Sequence, residues 1–236
     1  MIAEPRQLYA LVEGPTERLF FEKVLSFHLQ LHNITASPRI VRTRRDKALG
    51  RQYKGGNQWS KVEADLHRLL KEHPGPDARF TTMFDLYALD RDFPGAADAI
   101  PDGYSRARHI EASLARHFND PRLLPYIQLY ELETLVLVGL NHLEAITADR
   151  ELPNLRALRQ SIAGIPFESI NGGRDTAPSK RLEAAITYSK TEAGIEVIGS
   201  VGVPDLCDAC PHFKEWITAL EGLGQQDAAV DTAIDT

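Results

Sequence analysis

The sequence has 236 residues, of which 43% are apolar and 25% are charged, and its formal net charge is −6 at pH 7. This composition is typical of a soluble globular protein, and the length allows one large domain or two small ones. The acidic balance excludes a uniformly basic nucleic-acid-binding chain, so any such contact requires a local positive patch. We find no signal peptide and no apolar run near the ~20 residues that cross a bilayer, and we predict a cytoplasmic protein without membrane spans.

The first predicted element is a buried strand at residues 9–12, followed by a tight turn and a helix. Gly14 and Pro15 interrupt the strand, Thr16 is the expected helix cap, and apolar residues at helical spacing continue to Phe27. This order places Glu13 at the carboxyl end of a strand, the edge where open α/β sheets bind ligands. A carboxylate at the rim of a core is costly unless it is paired or bound to a metal ion.

The following segments alternate between strand and helix patterns. Strands are predicted at residues 34–43, at 79–89 and from 124 onward, with helices at 59–73 and 104–118. The order β-α-β-α-β-α-β predicts an α/β fold in which helices cover a largely parallel sheet.

After about residue 140 the pattern changes to short helices divided by prolines and glycines. We predict a sheet domain over residues 1–140, a helical extension packed on it over 141–224, and a flexible tail over 225–236. The helices of the extension are expected at residues 143–148, 155–162, 179–188, 191–200 and 212–223.

Acidic residues follow three of the predicted strands. They are Glu13, then Asp85 with Asp90 and Asp92 in the loop after it, and Glu131 with Glu133. Because the carboxyl ends of parallel strands share one edge, we expect these acids to converge. Converging carboxylates repel each other, and Mg²⁺ or Mn²⁺ prefers such oxygen ligands, so a divalent site is predicted. The alternative for each acid is a solvated loop end or a helix cap.

Two details of this acidic set have alternatives. If residues 131–133 are extended, Glu131 and Glu133 point to the same buried side, which favours ligation or pairing. If a helix begins near Glu131 instead, both are capping acids. Glu17 lies one turn into the first helix. It either binds a second metal ion or stabilises the helix through a favourable interaction with the helix dipole.

Two groups of cationic residues are candidates for binding phosphate. Lys180 and Arg181 lie in the expected first turn of a helix, where cations oppose the dipole. Their partner is therefore an anion, either the scissile phosphate or the Glu131 cluster, or they form plain surface ion pairs. The second group, within residues 42–54, is the best local candidate in the chain for binding the phosphates of a nucleic acid. The alternatives are a solvated loop and a docking surface for an acidic partner. The members of this group are Arg42, Arg44, Arg45, Lys47, Arg51 and Lys54.

The cysteines and histidines do not predict a metal site, and no motif predicts nucleotide binding. Cys207 and Cys210 lie in Cys-Asp-Ala-Cys-Pro-His, but a structural zinc needs four ligands and we find no second cluster. We therefore expect two reduced thiols in a loop before the last helix. The eight histidines contain no His-Glu-x-x-His motif, and no Walker-type loop predicts ATP hydrolysis.

The motifs at these strand ends resemble a known family. Residues 11–17, LVEGPTE, resemble the first TOPRIM motif, a hydrophobic strand followed by Glu-Gly and a helix, in the version of overcoming-lysogenization-defect nucleases. Asp85 resembles the first acid of the TOPRIM Asp-x-Asp motif. Over nearly the whole chain, four pieces together resemble a small bacterial TOPRIM-like family, domain-of-unknown-function family forty-two seventy-six. They are DLYAL (85–89) with DFPG (92–95), QLYELE (128–133), APSKRL (177–182) and CPHF (210–213).

The resemblance implies a TOPRIM fold and a metal-dependent nuclease, often partnered with an ABC-type ATPase in antiphage defence or genome maintenance. One position departs from the motif, because Tyr87 stands where the second acid of Asp-x-Asp is expected. Asp90 or Asp92 from the loop, or the acids of the next strand, can replace it. Tyr87 also leaves open a catalytically silent TOPRIM scaffold that serves as a regulatory or toxin partner of an ATPase.

Our first hypothesis is an endonuclease that uses Mg²⁺ or Mn²⁺ to hydrolyse DNA or RNA. Glu13 is the expected general base, Lys180 stabilises charge on the phosphate, and Arg181 joins the cations of residues 42–54 in binding nucleic acid. A homo-oligomer is compatible with this hypothesis. The expected metal ligands are Glu13, Glu17, Asp85, Asp92, Glu131 and Glu133.

Overall fold

The computed structural model describes residues 4–42, 57–87, 89–170, 173 and 175–224. Its centre is a sheet in the order β2-β1-β3-β4, and β5 also pairs with β3. All the pairings are parallel, which confirms the predicted α/β class with a largely parallel sheet. The strands are β1 (Arg6–Val12), β2 (Ile34–Ile40), β3 (Arg79–Asp85), β4 (Leu123–Leu124) and β5 (Ile127–Gln128).

Helices connect and cover these strands. The first begins as α1 (Pro15–Phe20), passes through a π-helical turn (Phe21–Leu25) and ends as α2 (Ser26–Gln30). Between the strands lie α3 (Trp59–Glu72) and α4 (Gly103–Phe118). The helices after the sheet are α5 (Glu133–Val138), α6 (Leu140–Ile146), α7 (Leu152–Ser161), α8 (Pro178–Ala185), α9 (Ile195–Val201), α10 (Val203–Ala209) and α11 (Pro211–Leu223).

The sheet separates two hydrophobic layers, and alternating residues of β1 enter both. Leu8, Ala10 and Val12 pack into the layer formed with α1, α2 and the helices after the sheet. Leu11 faces the opposite layer, which contains α3 and α4. This period of two is expected for a strand buried on both faces. It fixes Glu13, the next residue, at the rim of the core.

The fourth predicted strand is shorter than its apolar pattern indicates. Pro125, which has no N–H to donate to the ladder, separates β4 from β5. The Thr82 hydroxyl fills the gap: it donates to Tyr126 O at 3.0 Å and accepts from Tyr126 N at 2.9 Å. Tyr130 then adopts a left-handed conformation with φ 60°, and the chain turns into α5. The extended interpretation of residues 131–133 is therefore wrong.

Three smaller expectations also need correction. Gly14, not Thr16, is the N-cap of α1, because Pro15 occupies the first helical position. Phe27 is exposed, although its spacing matched the buried face. Cys207 lies within α10 and not in a loop, whereas both cysteines are free thiols as expected.

The tail at residues 225–236 and most of the basic segment lie outside the described residues. The nucleic-acid-binding candidates that fall there are Arg44, Arg45, Lys47, Arg51 and Lys54. Among the helices that the structure describes, none combines the length and apolarity needed to span a bilayer.

Candidate functional site

Glu13 and Asp85 lie beside each other at the carboxyl end of the sheet. Glu13 N donates to Met83 O at 3.2 Å, which continues the β1–β3 ladder one residue beyond Val12. Asp85 N in turn donates to Glu13 Oε2 at 3.3 Å. Both acids retain partial exposure to solvent. The expected meeting of these two strand ends is therefore present in the structure.

Glu17 joins this pair from the first turn of α1. It is four residues after Glu13, so the helix begins at the site and returns a second carboxylate to it. Glu17 is only 8% exposed. Gly14 leaves room for this arrangement, because a Cβ at that position would lie 3.2 Å from Glu17 Oε2.

The segment after β5 brings two more acids to the same edge. Tyr87 N donates to Tyr130 O at 2.8 Å, and Leu132 N donates to Asp85 Oδ1 at 3.1 Å. These bonds tie residues 130–132 to the end of β3. The left-handed Tyr130 reverses the chain at this point, a conformation that is strained for a bulky residue and is concentrated at functional sites.

Glu131 and Glu133 have different partners in this turn. Glu131, which is 6% exposed, accepts hydrogen bonds from the backbone N and the Oγ of Ser179, both at 2.9 Å, at the start of α8. Glu133, which is 2% exposed, lies 2.7 Å from Lys190 Nζ. Glu131 is thus a capping acid, as one alternative held, but it caps α8 and not its own helix.

Burial, joined in three cases by repulsion between carboxylates, disfavours the charged forms of four of these acids. Burial, followed by the charge of Glu17, raises the pKa of Glu13 from 4.5 to about 7. The pKa of Asp85 is raised well above its ordinary value by burial and by the four glutamates of the site. Burial also raises the pKa values of Glu17 and Glu133. Five acids converge here, as expected for a site that receives a cation.

Lys190 provides the positive charge within this cluster. Its charge lowers the pKa values of Glu13, Glu17 and Glu133, opposing the effect of burial. Burial alone would lower the pKa of Lys190, but the surrounding carboxylates, with Glu133 foremost, raise it. Lys190 was not predicted from the sequence, because it lies between two predicted helices without a recognisable motif. The available signal was indirect: a buried Glu133 requires a cationic partner.

The lysine chosen from the sequence has a more peripheral position. Lys180 is exposed in the first turn of α8, as expected, and its Nζ lies 2.6 Å from Glu183 Oε2. The charge of Glu131 contributes to its raised pKa, but the pair with Glu183 contributes more. Arg181 Nε donates to Thr176 O at 2.8 Å. Plain surface pairing therefore describes Lys180 better than a central position does.

Three further candidates from the sequence lie outside the cluster, namely Asp90, Asp92 and Arg42. Asp92 is exposed, its backbone N donates to Asp90 Oδ1, and it is not among the charges that raise the pKa values of the buried acids. The prediction that Asp92 belongs to the site is therefore wrong. The loop after β3 runs toward α3 instead, where Asp90 Oδ2 accepts a hydrogen bond from Trp59 N at 3.0 Å. Arg42 is exposed after β2, and its N donates to Asp65 Oδ2 at 2.6 Å.

Tyr188 is a second residue of this region that the sequence did not reveal. Burial raises the pKa of its phenol, and the charges of Glu133 and Glu131 add to that effect. Gly194 accommodates the ring, because a Cβ there would lie 2.4 Å from the Tyr188 hydroxyl. The phenol therefore stays protonated next to the two acids that follow β5.

Comparison with known proteins places this arrangement in a family. The profile of the family described as "Domain of unknown function (DUF4276)" matches residues 12–221, a range that includes the five acids and Lys190. The chain belongs to the DUF4276 family. The family resemblance read from the four sequence pieces is thereby confirmed.

Solved structures with a similar fold accompany this DUF4276 match. The C-terminal region of the OLD protein of Xanthomonas campestris pv. campestris is 15% identical, with a TM-score of 0.48 over 96% of this chain and 97% of that chain. The C-terminal region of the Burkholderia pseudomallei OLD protein is 16% identical, with a TM-score of 0.41 over 92% of this chain and 98% of that chain. No curated protein matches the chain in sequence.

Proposed function

We propose that this DUF4276 protein is a nuclease that hydrolyses phosphodiester bonds with Mg²⁺ or Mn²⁺. The observation that supports the proposal is the convergence of five acids around Lys190 at the carboxyl edge of a parallel sheet. Two of these acids, Glu13 and Asp85, come from neighbouring strand ends and are joined by a hydrogen bond. In open α/β sheets this edge is the usual place for a ligand.

The donor set suits a hard divalent cation by its chemistry. Among the described residues no three of these acids have ligand atoms within 4.8 Å of one another, so a bound ion would have to draw them together. Carboxylate oxygens are the ligands that Mg²⁺ and Mn²⁺ prefer, and the raised pKa values mean that the acids gain from a nearby positive charge. Glu13 and Asp85 would hold the ion at the solvent side, and Glu17 and Glu133 would support it from the buried side. When bound, such ions activate the attacking water and stabilise the leaving oxygen.

The side chains of the site can perform the remaining steps. Glu13 is the proposed general base. Its pKa of about 7 belongs to the metal-free protein, and a bound cation would lower that pKa, so Glu13 would be ionised and able to accept a proton from water near neutral pH. Lys190 supplies a fixed positive charge that can stabilise charge developing on the phosphate. Glu131 holds the start of α8 against the site, and Lys180 lies on the exposed side of that helix turn.

The nucleic acid would be bound by the basic segment that begins at Arg42. Six cationic side chains with one acid in thirteen positions can contact several phosphates, which the acidic remainder of the chain cannot. Arg42 is exposed after the carboxyl end of β2, the strand next to β1. Arg42, the first residue of the segment, therefore lies on the same side of the sheet as Glu13. Arg181 in α8 is the further candidate for this contact.

We also propose an ABC-type ATPase as a protein partner, in a defence or genome-maintenance module. The support for this partner is the sequence resemblance to overcoming-lysogenization-defect nucleases. A second candidate function is a catalytically silent scaffold that regulates such an ATPase. Tyr87, at the position of the second motif acid, favours that alternative.

Cleavage of a supercoiled plasmid and of a structured RNA in Mn²⁺ or Mg²⁺ tests the proposal. We expect Glu13→Gln and Asp85→Asn to abolish cleavage and Asp92→Asn to leave it unchanged, because Asp92 is exposed outside the cluster. Equal cleavage by Glu13→Gln and the parent would refute the nuclease site. Calorimetry separates the two functions, since a chain that binds no Mn²⁺ at millimolar concentration is the silent scaffold.

A further inference from the structure

A second group of possible metal ligands lies where the first helix meets the last one. His28 belongs to α2, His32 follows the end of that helix, and Glu221 lies near the end of α11. His32 precedes β2, whose first residue Ile34 pairs with Arg6 at the start of β1. The group is therefore at the amino edge of the sheet, and the length of β1, about 20 Å, separates it from the acids at the carboxyl edge.

The ligand atoms of these three side chains are already close together. His28 Nε2 is 2.7 Å and His32 Nε2 is 3.6 Å from Glu221 Oε1. The two imidazole rings, four residues apart, have centroids separated by 5.1 Å. Ligand atoms that share a tetrahedral zinc ion lie about 3.3 Å apart, given bonds of about 2 Å. The two distances to Glu221 are therefore within about 0.6 Å of the separation in a tetrahedral zinc site, and all three ligand atoms lie within 4.8 Å of one another.

The surroundings hold the ligands in place and leave an entry path. The side chains of His28, His32 and Glu221 are 16%, 28% and 25% exposed. Gly224 fits directly against this turn, because a Cβ there would lie 1.8 Å from His32 O. The end of α11 is thus packed against the end of the first helix without a side chain between them.

The donor chemistry distinguishes this site from the acidic one. Two imidazole nitrogens and one carboxylate oxygen suit zinc and similar transition-metal ions, whereas carboxylates alone suit Mg²⁺ or Mn²⁺. Among the described residues one other trio has comparable spacing: Glu63, His67 and His117, of which the two histidines are exposed. The trio at the helix ends is the more buried of the two and joins parts of the chain 193 residues apart.

We propose that His28, His32 and Glu221 form a binding site for a zinc-class transition-metal ion that holds the end of α2 against the end of α11. The unfolded chain does not bring residues so distant in sequence together, so the ion binds the folded protein selectively. Such an ion stabilises the fold by mass action. The site is independent of the proposed nuclease activity.

The test measures zinc binding to the tag-free full chain by calorimetry and by thermal unfolding. All variants carry His117→Ala, which removes the exposed trio, and the buffer contains millimolar Mg²⁺ to occupy the acidic site. In this background we expect one zinc ion per chain, and a rise in Tm of about 5–10 °C at a zinc concentration 100 times the Kd.

His32→Ala and Glu221→Gln should each weaken zinc binding at least about tenfold, whereas His142→Ala, which removes an exposed histidine outside both trios, should not. Glu221→Gln retains the size of the side chain, so it keeps the test valid if His32→Ala does not fold. The proposal is overturned if zinc fails to raise Tm, or if Glu221→Gln binds zinc as tightly as its parent. Either result would leave the three side chains as a simple ion pair between helices.

Discussion

Lys190 Nζ lies 2.7 Å from Glu133 Oε1, and this contact pairs a buried acid with the cation at the centre of the acidic cluster. Both residues lie at the start of a helical segment. Lys190 begins the helical turn that precedes α9, and Glu133 begins α5. Glu133 is buried, but the Lys190 side chain is 43% exposed, so solvent screens part of the pair. Removing Lys190 therefore costs less than breaking a fully buried ion pair, although it leaves the buried acid without its cation.

Lys190→Met should lower the free energy of unfolding by about 1–2 kcal/mol in metal-free buffer, because it leaves the buried Glu133 without its half-exposed cationic partner. It should also lower metal-dependent cleavage by about 100-fold or more. Chemical denaturation and initial cleavage rates measure the two effects. Lys180→Met is the matched control: its exposed pair with Glu183 predicts a change in stability within about 0.5 kcal/mol. Equal effects of the two substitutions would contradict the central position of Lys190.

The raised pKa of Glu13 predicts how the stability of the metal-free protein depends on pH. Between pH 4.5 and about 7 the folded protein holds a proton on Glu13 that the unfolded chain has released. The stabilisation from Glu13 is therefore complete below pH 4.5 and is lost as the pH rises through about 7. The difference corresponds to about 3 kcal/mol.

Glu13→Gln should remove this contribution, so its Tm in metal-free buffer should change less between pH 5 and pH 7.5 (roughly the window of the Glu13 titration) than that of the parent. Glu196→Gln is the control, because Glu196 is exposed in α9. Parallel Tm profiles for Glu13→Gln and Glu196→Gln would show that Glu13 titrates as an ordinary glutamate.

Binding of Mn²⁺ should release protons near neutral pH. A cation beside Glu13 and Asp85 favours their charged forms, so an ion that binds there displaces the protons that the raised pKa values retain. Calorimetry in buffers with different ionisation enthalpies counts the released protons. We expect the affinity to rise between pH 6 and pH 8 (roughly the range around the Glu13 pKa), and Glu13→Gln to release fewer protons. Binding without proton release would place the ion elsewhere.

The bond between Glu131 and Ser179 predicts a non-additive effect on stability. Glu131→Ala and Ser179→Ala should each lower the free energy of unfolding by about 1–3 kcal/mol, because each leaves a buried polar partner unsatisfied. The double variant should lose less than the sum, since both substitutions break the same contact. A double-mutant cycle by chemical denaturation measures the coupling. Ser179→Ala keeps the backbone N–H bond to Glu131, so the cycle measures the hydroxyl bond alone, and additive losses would mean that the Ser179 hydroxyl does not stabilise the fold through Glu131.

Substitution of the basic segment should weaken binding of nucleic acid without changing cation binding. Arg44→Ala, Arg45→Ala and Lys47→Ala together remove three charges, so the slope of log K against log salt for duplex DNA should become less negative by about 2–3. Fluorescence anisotropy across a salt series measures this slope, and Mn²⁺ calorimetry serves as the control. An unchanged slope would exclude the segment from the nucleic-acid contact.

Local sequence patterns were sufficient to predict a parallel sheet and the edge of it that carries the acids. The apolar runs of β1 and β3 are buried on both faces, and each ends at an acid, Glu13 or Asp85. Parallel strands share one edge, so the pattern predicts both acids at that edge, and the pairing of β1 with β3 makes them neighbours. The same strand-end argument predicted the acids after β5, and Glu17 followed from its position one turn into the first helix.

Only the tertiary structure decided which side chains complete the site. For Glu131 and Glu133 the sequence left open an extended run or the start of a helix. The left-handed Tyr130 ends the strand, a helix follows, and one acid contacts α8 while the other contacts Lys190. Lys190 rather than Lys180 lies among the acids. The packing of the helices determines which cation meets a buried acid, and this pairing has no periodic pattern in the sequence. Hydrophobic periodicity and turn residues act over a few neighbours and are readable from the sequence, whereas ion pairs and metal ligands form between segments that only the folded core brings together.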